Sequence, residues 1–182
     1  GLIAMPYLHC AFGDNILPAP GYWEQVRKIC TDNGIVLIVD DVRAGWRLDL
    51  QGSDHFFGFE ADLICFCKAL ANGWNVSALC GKESLKDACS AVMYTGSYWH
   101  TAAPFAAAIA NINKLRNHED ACGHMRMIGE GIMSGLEKVA ANHGFHMVTT
   151  GEPSLFYMRL ADDNNFKLHQ EFVAETVKRG AL

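Results

Sequence analysis

Lys68 and Asp40 are the two residues whose positions could carry chemistry. Lys68 directly follows an apolar run that begins at Asp62, and Asp40 directly follows a second apolar run, Ile35-Val36-Leu37-Ile38-Val39. A lysine at the end of a buried strand can be desolvated, which lowers its affinity for a proton and lets it form a Schiff base with an aldehyde. An acid at the end of a neighbouring strand can pair with a pyridinium nitrogen. These two groups are what pyridoxal 5'-phosphate (PLP) chemistry needs.

The surrounding pattern predicts an α/β fold that would position both residues. The run over 35–39 is continuously apolar, which is typical of a parallel strand covered on both faces. Ligand-binding side chains in such folds lie at the carboxyl ends of the strands. Further strands are predicted over 62–67 and 76–80, and helices over 21–33, 82–92 and 102–115.

The predicted order of helices and strands changes near residue 116. A long helix is predicted over 119–142, then strands over 145–149 and 155–160, and a last helix over 166–178. This order predicts a second, α+β unit over 116–182 that follows a first unit over 1–115. The apolar stripe of the long helix is expected to be core; it consists of Met125, Ile128, Ile132, Leu136 and Val139.

A third segment, Tyr94 to Thr101, precedes the helix predicted over 102–115. Gly96 and Ser97 offer backbone N–H groups and a hydroxyl, which are good donors to a phosphate. The aromatic residues of the segment could form a wall of a substrate pocket. An ordinary loop that leads into a helix is the alternative interpretation.

Composition narrows the classes of function. The net charge is −5 without any block of Lys and Arg, which argues against a nucleic-acid partner, and the apolar runs are too short and too often interrupted for a membrane span. Seven cysteines, an odd number partly inside apolar runs, indicate reduced thiols in a cytoplasmic protein.

Neither Cys65 with Cys67 nor the group His118, Cys122 and His124 forms a tetrahedral ligand set, so no metal site is expected. We also expect the chain to be a piece of a longer protein.

In this order, the segments resemble the class III (fold type I) PLP-dependent aminotransferases, which include glutamate-1-semialdehyde aminomutase. That family reads apolar strand, Asp-Glu-Val, two residues, Gly-Phe/Trp-Arg, and residues 37–47 here read Leu-Ile-Val-Asp-Asp-Val-Arg-Ala-Gly-Trp-Arg. Its lysine segment reads Asp-Leu, a few residues, Gly-Lys, and residues 62–68 here read Asp-Leu-Ile-Cys-Phe-Cys-Lys. Gly96-Ser97 resembles the family's Gly-Thr or Ser-Thr.

The resemblance implies roles for particular residues. Lys68 would be the Schiff-base lysine and proton carrier, Asp40 the partner of the pyridine nitrogen, and Val42 a residue that packs on the ring. Gly96 and Ser97 would bind the phosphate of the cofactor in the neighbouring subunit of a homodimer. The chain would form part of the large PLP-binding domain, mainly parallel sheet with flanking helices, followed by the start of a smaller α+β domain.

The implied reaction transfers an amino group from an amine or amino acid to a keto acid or aldehyde. Departures from the family pattern leave the reaction type open: Asp41 replaces the usual Glu, and Cys67 and Asn72 replace common glycines. An aminomutase, a racemase or epimerase, a decarboxylase and a non-catalytic subunit of the same fold are alternatives. The candidate partners for a substrate carboxylate are Arg43, Arg47 and Arg159.

Overall fold

The computed structural model describes residues 1–7, 13–93 and 96–181. These residues form two compact units, the first with residues 1–7 and 17–124 and the second with residues 13–16 and 125–181. The sequence places a domain boundary near residue 116. That assignment of domains in the complete protein stays a prediction.

A four-stranded sheet forms the framework of the first unit, with its strands in chain order. The strands are β1 (Leu2–Ala4), β2 (Leu37–Asp40), β3 (Leu63–Phe66) and β4 (Ala78–Gly81). The first three are parallel, and β4 runs antiparallel to β3. Leu37 and Val39 are fully buried, as the continuous apolar run indicates. The predicted α/β class with a mainly parallel sheet is therefore confirmed.

Four helices accompany this sheet: α1 (Tyr22–Asp32), α2 (Ser53–Phe56), α3 (Lys86–Ser90) and α4 (Ala102–Arg116). Helix α1 buries Trp23 and Cys30, which lie two turns apart on one face, and Trp23 stacks on Phe59 with 4.9 Å between the rings. The sequence did not predict α2. It also predicted a single helix over 82–92, where a separate 3-10 turn, Glu83–Leu85, precedes α3.

Asp62 joins three elements at the amino-terminal edge of the sheet. Its Oδ2 atom accepts hydrogen bonds from the backbone N–H of Leu37 and from Arg27 Nη1, both at 2.8 Å, and Lys82 Nζ lies 3.0 Å from Oδ1. Burial acts to raise the pKa of Asp62, but these donors outweigh it and lower the pKa to about 2. Asp62 therefore stays ionised and holds α1, β2 and β4 against β3.

The second unit contains a β-hairpin and two helices. Its elements are α5 (Ala121–Asn142), which begins four residues before the second unit, β5 (Met147–Thr150), β6 (Tyr157–Leu160) and α6 (Lys167–Lys178). The two strands are antiparallel, with Met147 opposite Leu160. Asn15 is buried in this unit and donates its side-chain amide to the carbonyl of Leu155 at 3.1 Å.

The apolar stripe of α5 is less buried than the sequence predicts. Ile128 and Ile132 are each 48% exposed, and Val139 is 58% exposed. The helical spacing of these residues is as predicted, since they share one face of α5. The expectation that the whole stripe is core is wrong for the described residues, because spacing identifies a face and does not show what covers it.

Candidate active site

Asp40 is the last residue of β2 and lies at the carboxyl edge of the parallel strands. It pairs in register with Cys65 on β3 and is half-buried. Its Oδ1 atom accepts a hydrogen bond from the backbone N–H of Val42 at 3.2 Å. Within residues 1–7, 13–93 and 96–181, no hydrogen bond or ion pair occupies the other carboxylate oxygen. Asp40 therefore offers one fixed oxygen and one available oxygen.

The neighbouring acid, Asp41, is a structural residue. It is 1% exposed, and its Oδ2 atom accepts a hydrogen bond from the backbone N–H of Ser53 at 2.9 Å. Burial raises the pKa of Asp41, although hydrogen bonds from Ser53 oppose this effect. Its own N–H donates to the carbonyl of Cys65. Asp41 thus ties the loop after β2 to β3 and to α2, and it leaves Asp40 as the acid at the edge.

Lys68 begins a short 3-10 turn, Lys68–Leu70, two residues after the end of β3. Its backbone φ is +35°, in the left-handed region that residues other than glycine rarely adopt. The side chain is exposed rather than desolvated as expected. Across the described ranges, its amine makes no hydrogen bond or ion pair. Residues in this backbone region cluster at functional sites, which makes Lys68 a candidate site residue.

Parallel pairing of β2 and β3 places Asp40 and Lys68 at the same edge of the sheet. They form no ion pair with each other in the described structure, so the acid and the amine are both available to a ligand. A free amine for an aldehyde and a free carboxylate oxygen for a protonated ring nitrogen fit the donor set that PLP requires.

Aromatic stacking and a close backbone approach fix the loop that follows Asp40. The rings of Trp46 and Phe66 stack with 4.8 Å between centroids and 7° between planes. A Cβ atom on Gly45 would lie 2.7 Å from the Phe66 ring, so only glycine fits there without displacement. Val42 is half-buried in the same loop.

The phosphate-binding candidates lie farther along the chain. Gly96 and Ser97 are exposed, and Tyr94 and Thr95, which belong to the same predicted segment, lie outside the described residues. Within the described part of the segment, the hydroxyl of Thr101 donates to the carbonyl of Tyr98. No described hydrogen bond connects Gly96 or Ser97 with Asp40 or Lys68, so the structure does not join the phosphate candidates to the other two.

Asn111 is a residue of this region that the sequence did not single out. Its side-chain amide donates to the carbonyls of Ala69 and Leu70, in the turn that carries Lys68. The sequence signal was limited to a polar residue in an Ala-rich helix, and nothing in it identified a partner more than forty residues away.

Residues 6–182 match the sequence family described as aminotransferase class-III. The chain belongs to this family. It is 34% identical over 98% of its length to an aminopentol aminotransferase of Sphingopyxis macrogoltabida. It is also 31% identical over 70% of its length to a glutamate-1-semialdehyde 2,1-aminomutase of Alkaliphilus oremlandii.

Solved structures share the fold of this chain. The PLP internal aldimine form of the FumI protein of Sphingopyxis sp. MTA144 superposes with a TM-score of 0.90 at 34% identity, covering 98% of this chain and 43% of that one. An (S)-enantioselective omega-transaminase from Thermomicrobium roseum shares the fold, with a TM-score of 0.78 at 20% identity over 99% of this chain and 42% of that one.

This class-III aminotransferase chain spans only part of the length of its relatives. It covers 42% of the aminopentol aminotransferase and 31% of the aminomutase. No helix in the part of the chain that the structure describes is both long and apolar enough to cross a membrane. Among the same residues, no cluster of three or more His, Cys, Asp or Glu side chains is arranged to hold a metal ion.

Of the three arginine candidates for a substrate carboxylate, Arg159 and Arg47 differ in whether their guanidinium groups already have a partner. Arg159 forms a two-point ion pair with Asp14, with its Nε and Nη2 atoms 2.7 and 3.0 Å from the two carboxylate oxygens. Arg47 has a buried Nε atom that makes no hydrogen bond to a described residue. Burial, and secondarily the charge of Arg43, lowers the pKa of Arg47. Arg47 is therefore more available than Arg159 to donate a hydrogen bond to an anionic partner.

Proposed function

We propose that the complete protein is a PLP-dependent aminotransferase that moves an amino group from an amine or amino acid to a keto acid or aldehyde. Membership of the class-III family supports the proposal. The observation that carries it is the placement of Asp40 and Lys68 at the ends of two adjacent parallel strands, each with an available polar atom.

PLP supplies an aldehyde and an electron-withdrawing ring that stabilises negative charge on the substrate carbon. In the proposal, Lys68 would hold PLP through a covalent bond from Nζ to the aldehyde carbon, formed with loss of water, and the substrate amine would displace Lys68 from that carbon. The freed Lys68 Nζ would then carry a proton from the substrate carbon to the former aldehyde carbon. Asp40 would hold a proton on the ring nitrogen through its carboxylate, and Val42 would pack against one face of the ring.

A direct test uses the full-length protein incubated with PLP. Reduction with borohydride should trap the cofactor on the protein, and Lys68→Ala should abolish both the trapped adduct and amino transfer. Lys86→Ala is the matched control, because Lys86 is an exposed lysine 3.0 Å from Glu83. Asp40→Asn should keep the adduct but slow amino transfer about a hundredfold or more, since the carboxylate charge is lost. Normal transfer by Lys68→Ala would refute the assignment.

We further infer a homodimer in which Gly96 and Ser97 bind the phosphate of the cofactor in the neighbouring subunit. Large apolar side chains near this segment are highly exposed, with Met93 at 96% and Trp99 at 61%. A second copy of the chain would remove such surface from water. Mixing Lys68→Ala subunits with Ser97→Ala subunits tests the arrangement, because a mixed dimer would contain one site with both residues intact. Failure of the mixture to recover activity would count against a shared site.

The relatives suggest the class of substrate and a second candidate reaction. The aminopentol aminotransferase, at 34% identity, supports an amine as the amino donor. The aminomutase, at 31% identity, favours an intramolecular amino shift as the alternative. An isotopically labelled amine separates the two, because aminotransfer moves the label to the acceptor and a mutase keeps it in the same molecule. We propose a cytoplasmic location, supported by Cys65 and Cys67, which are free thiols in the part of the chain that the structure describes.

A further inference from the structure

Asn111 connects helix α4 to the turn that carries Lys68. Its Nδ2 atom lies 2.6 Å from the carbonyl oxygen of Ala69 and 3.2 Å from that of Leu70. These carbonyls are 42 and 41 positions away in the sequence, so the hydrogen bonds cross between two separate elements. Asn111 is half-buried on α4.

The chemistry of this contact is specific to the amide. Both partners are carbonyl oxygens, which accept hydrogen bonds, so only the NH₂ group of Asn111 can face them. A carboxylate in the same place would present an acceptor to two acceptors. An apolar side chain would leave both carbonyls without this partner.

Apart from Asn111, few contacts fix the orientation of the turn that carries Lys68. Lys68–Leu70 is a single 3-10 turn whose first residue has a φ of +35°. Such a conformation persists only where the surroundings impose it. Leu70 packs with Ala71 and Ala108 in one buried cluster, which fixes the distance between turn and helix. Apolar contacts do not set the rotation of the turn, whereas hydrogen bonds to two successive carbonyls do.

We propose that Asn111 is a positioning residue that fixes the rotation of the Lys68 turn and thereby aims the lysine amine. This inference rests on the proposed function, in which Lys68 binds PLP and carries the proton. Asn111 would act through its hydrogen bonds to the backbone of Ala69 and Leu70 rather than on the reacting atoms. Its loss should affect proton transfer, which depends on the direction of the amine, more than substrate binding.

The test compares Asn111→Leu with Asn113→Leu in the full-length protein loaded with PLP. Asn113 is an exposed asparagine on the same helix, so it controls for the change in polarity. Asn111→Leu should keep the borohydride-trapped adduct and lower kcat about tenfold or more, with KM within about threefold. The midpoint of the pH titration of the cofactor absorbance should move by about half a pH unit or more, because the surroundings of the amine change. Asn113→Leu should change none of these quantities.

A measurement without cofactor gives an independent readout. The N–H groups of Leu70 and Asn72 donate to the carbonyls of Cys67 and Lys68, in and beside the turn. Amide hydrogen exchange at Leu70 and Asn72 should accelerate about tenfold or more in Asn111→Leu. Asn111→Ala, measured in the same way, replaces the leucine variant if that variant does not fold.

Three outcomes would overturn the proposal. The first is a folded Asn111 variant whose kcat and titration match those of Asn113→Leu, even if its thermal stability is reduced. The second is exchange in the turn that is unchanged. The third is failure of both variants to fold, which would make Asn111 a general structural residue. Absence of a trapped adduct at Lys68 in the unmodified protein would instead refute the proposed function.

Discussion

Replacing Asp62 with asparagine should lower the free energy of unfolding near pH 7. The loss should become smaller as the pH falls. The pKa of Asp62 is about 2 in the folded chain against an ordinary value of 3.8. At roughly 1.4 kcal/mol per pH unit, this difference is worth about 2.5 kcal/mol of stability near pH 7. The side chain of Asp62 is only 15% exposed, but that of Lys82 is 38% exposed, so water screens part of the attraction and this value is an upper bound.

The sign of the pH dependence follows from the lowered pKa. The stabilisation from the ionised Asp62 is fully present above the unfolded pKa of 3.8 and is lost as the pH falls towards 2. Near pH 3, roughly half of it should remain. Asparagine can still accept the hydrogen bond from Leu37, so the variant isolates the charge that pairs with Arg27 and Lys82.

Urea unfolding followed by circular dichroism measures the effect, with Asp32→Asn as the matched control. Asp32 pairs with Lys28 at 2.6 Å but is 54% exposed, so its replacement should cost less than roughly 0.5 kcal/mol. The reasoning is refuted if both variants lose the same free energy near pH 7. It is also refuted if the loss in Asp62→Asn stays constant between pH 7 and pH 3.

Two further substitutions test the close contact between Gly45 and Phe66 and the conclusion that Arg159 does not bind the substrate carboxylate. Gly45→Ala should cost about 1–3 kcal/mol, because its Cβ would lie 2.7 Å from Phe66, whereas Gly131→Ala, with nothing within 4 Å, should be neutral or stabilising by up to about 1 kcal/mol. Equal melting temperatures for the two variants would contradict the close approach at Gly45. Arg159→Ala should leave the KM for an acidic acceptor within about twofold, because Asp14 already occupies its guanidinium. A tenfold rise in KM would show that Arg159 binds the substrate.

The sequence was sufficient to predict the edge of the sheet where Asp40 and Lys68 lie. A continuous apolar run requires cover on both faces, which favours parallel strands, and parallel strands bring their carboxyl ends to one edge. The direction of β4 was not predictable in this way, because a strand of four residues has the same pattern in either direction. Helix α2 was missed because four residues are too few to show a helical period.

The contacts that hold the site depend on residues far apart in the sequence. Asn111 meets the Lys68 turn across more than forty residues, and Arg159 meets Asp14 across 145. An asparagine or an arginine can pair with many other residues, so the sequence alone does not predict which partner each one contacts. Asp41 directly follows Asp40 in the sequence, and its burial is what gives it a structural role that the residue type alone does not show.

Peptide mass spectrometry of the full-length protein, after incubation with PLP and reduction with borohydride, tests the central claim most directly. The proposed site predicts a pyridoxyl adduct on the peptide that contains Lys68, with the other lysines unmodified. An adduct on another lysine, or no stable adduct in a correctly folded protein, would contradict the assignment of Lys68 as the residue that binds the cofactor.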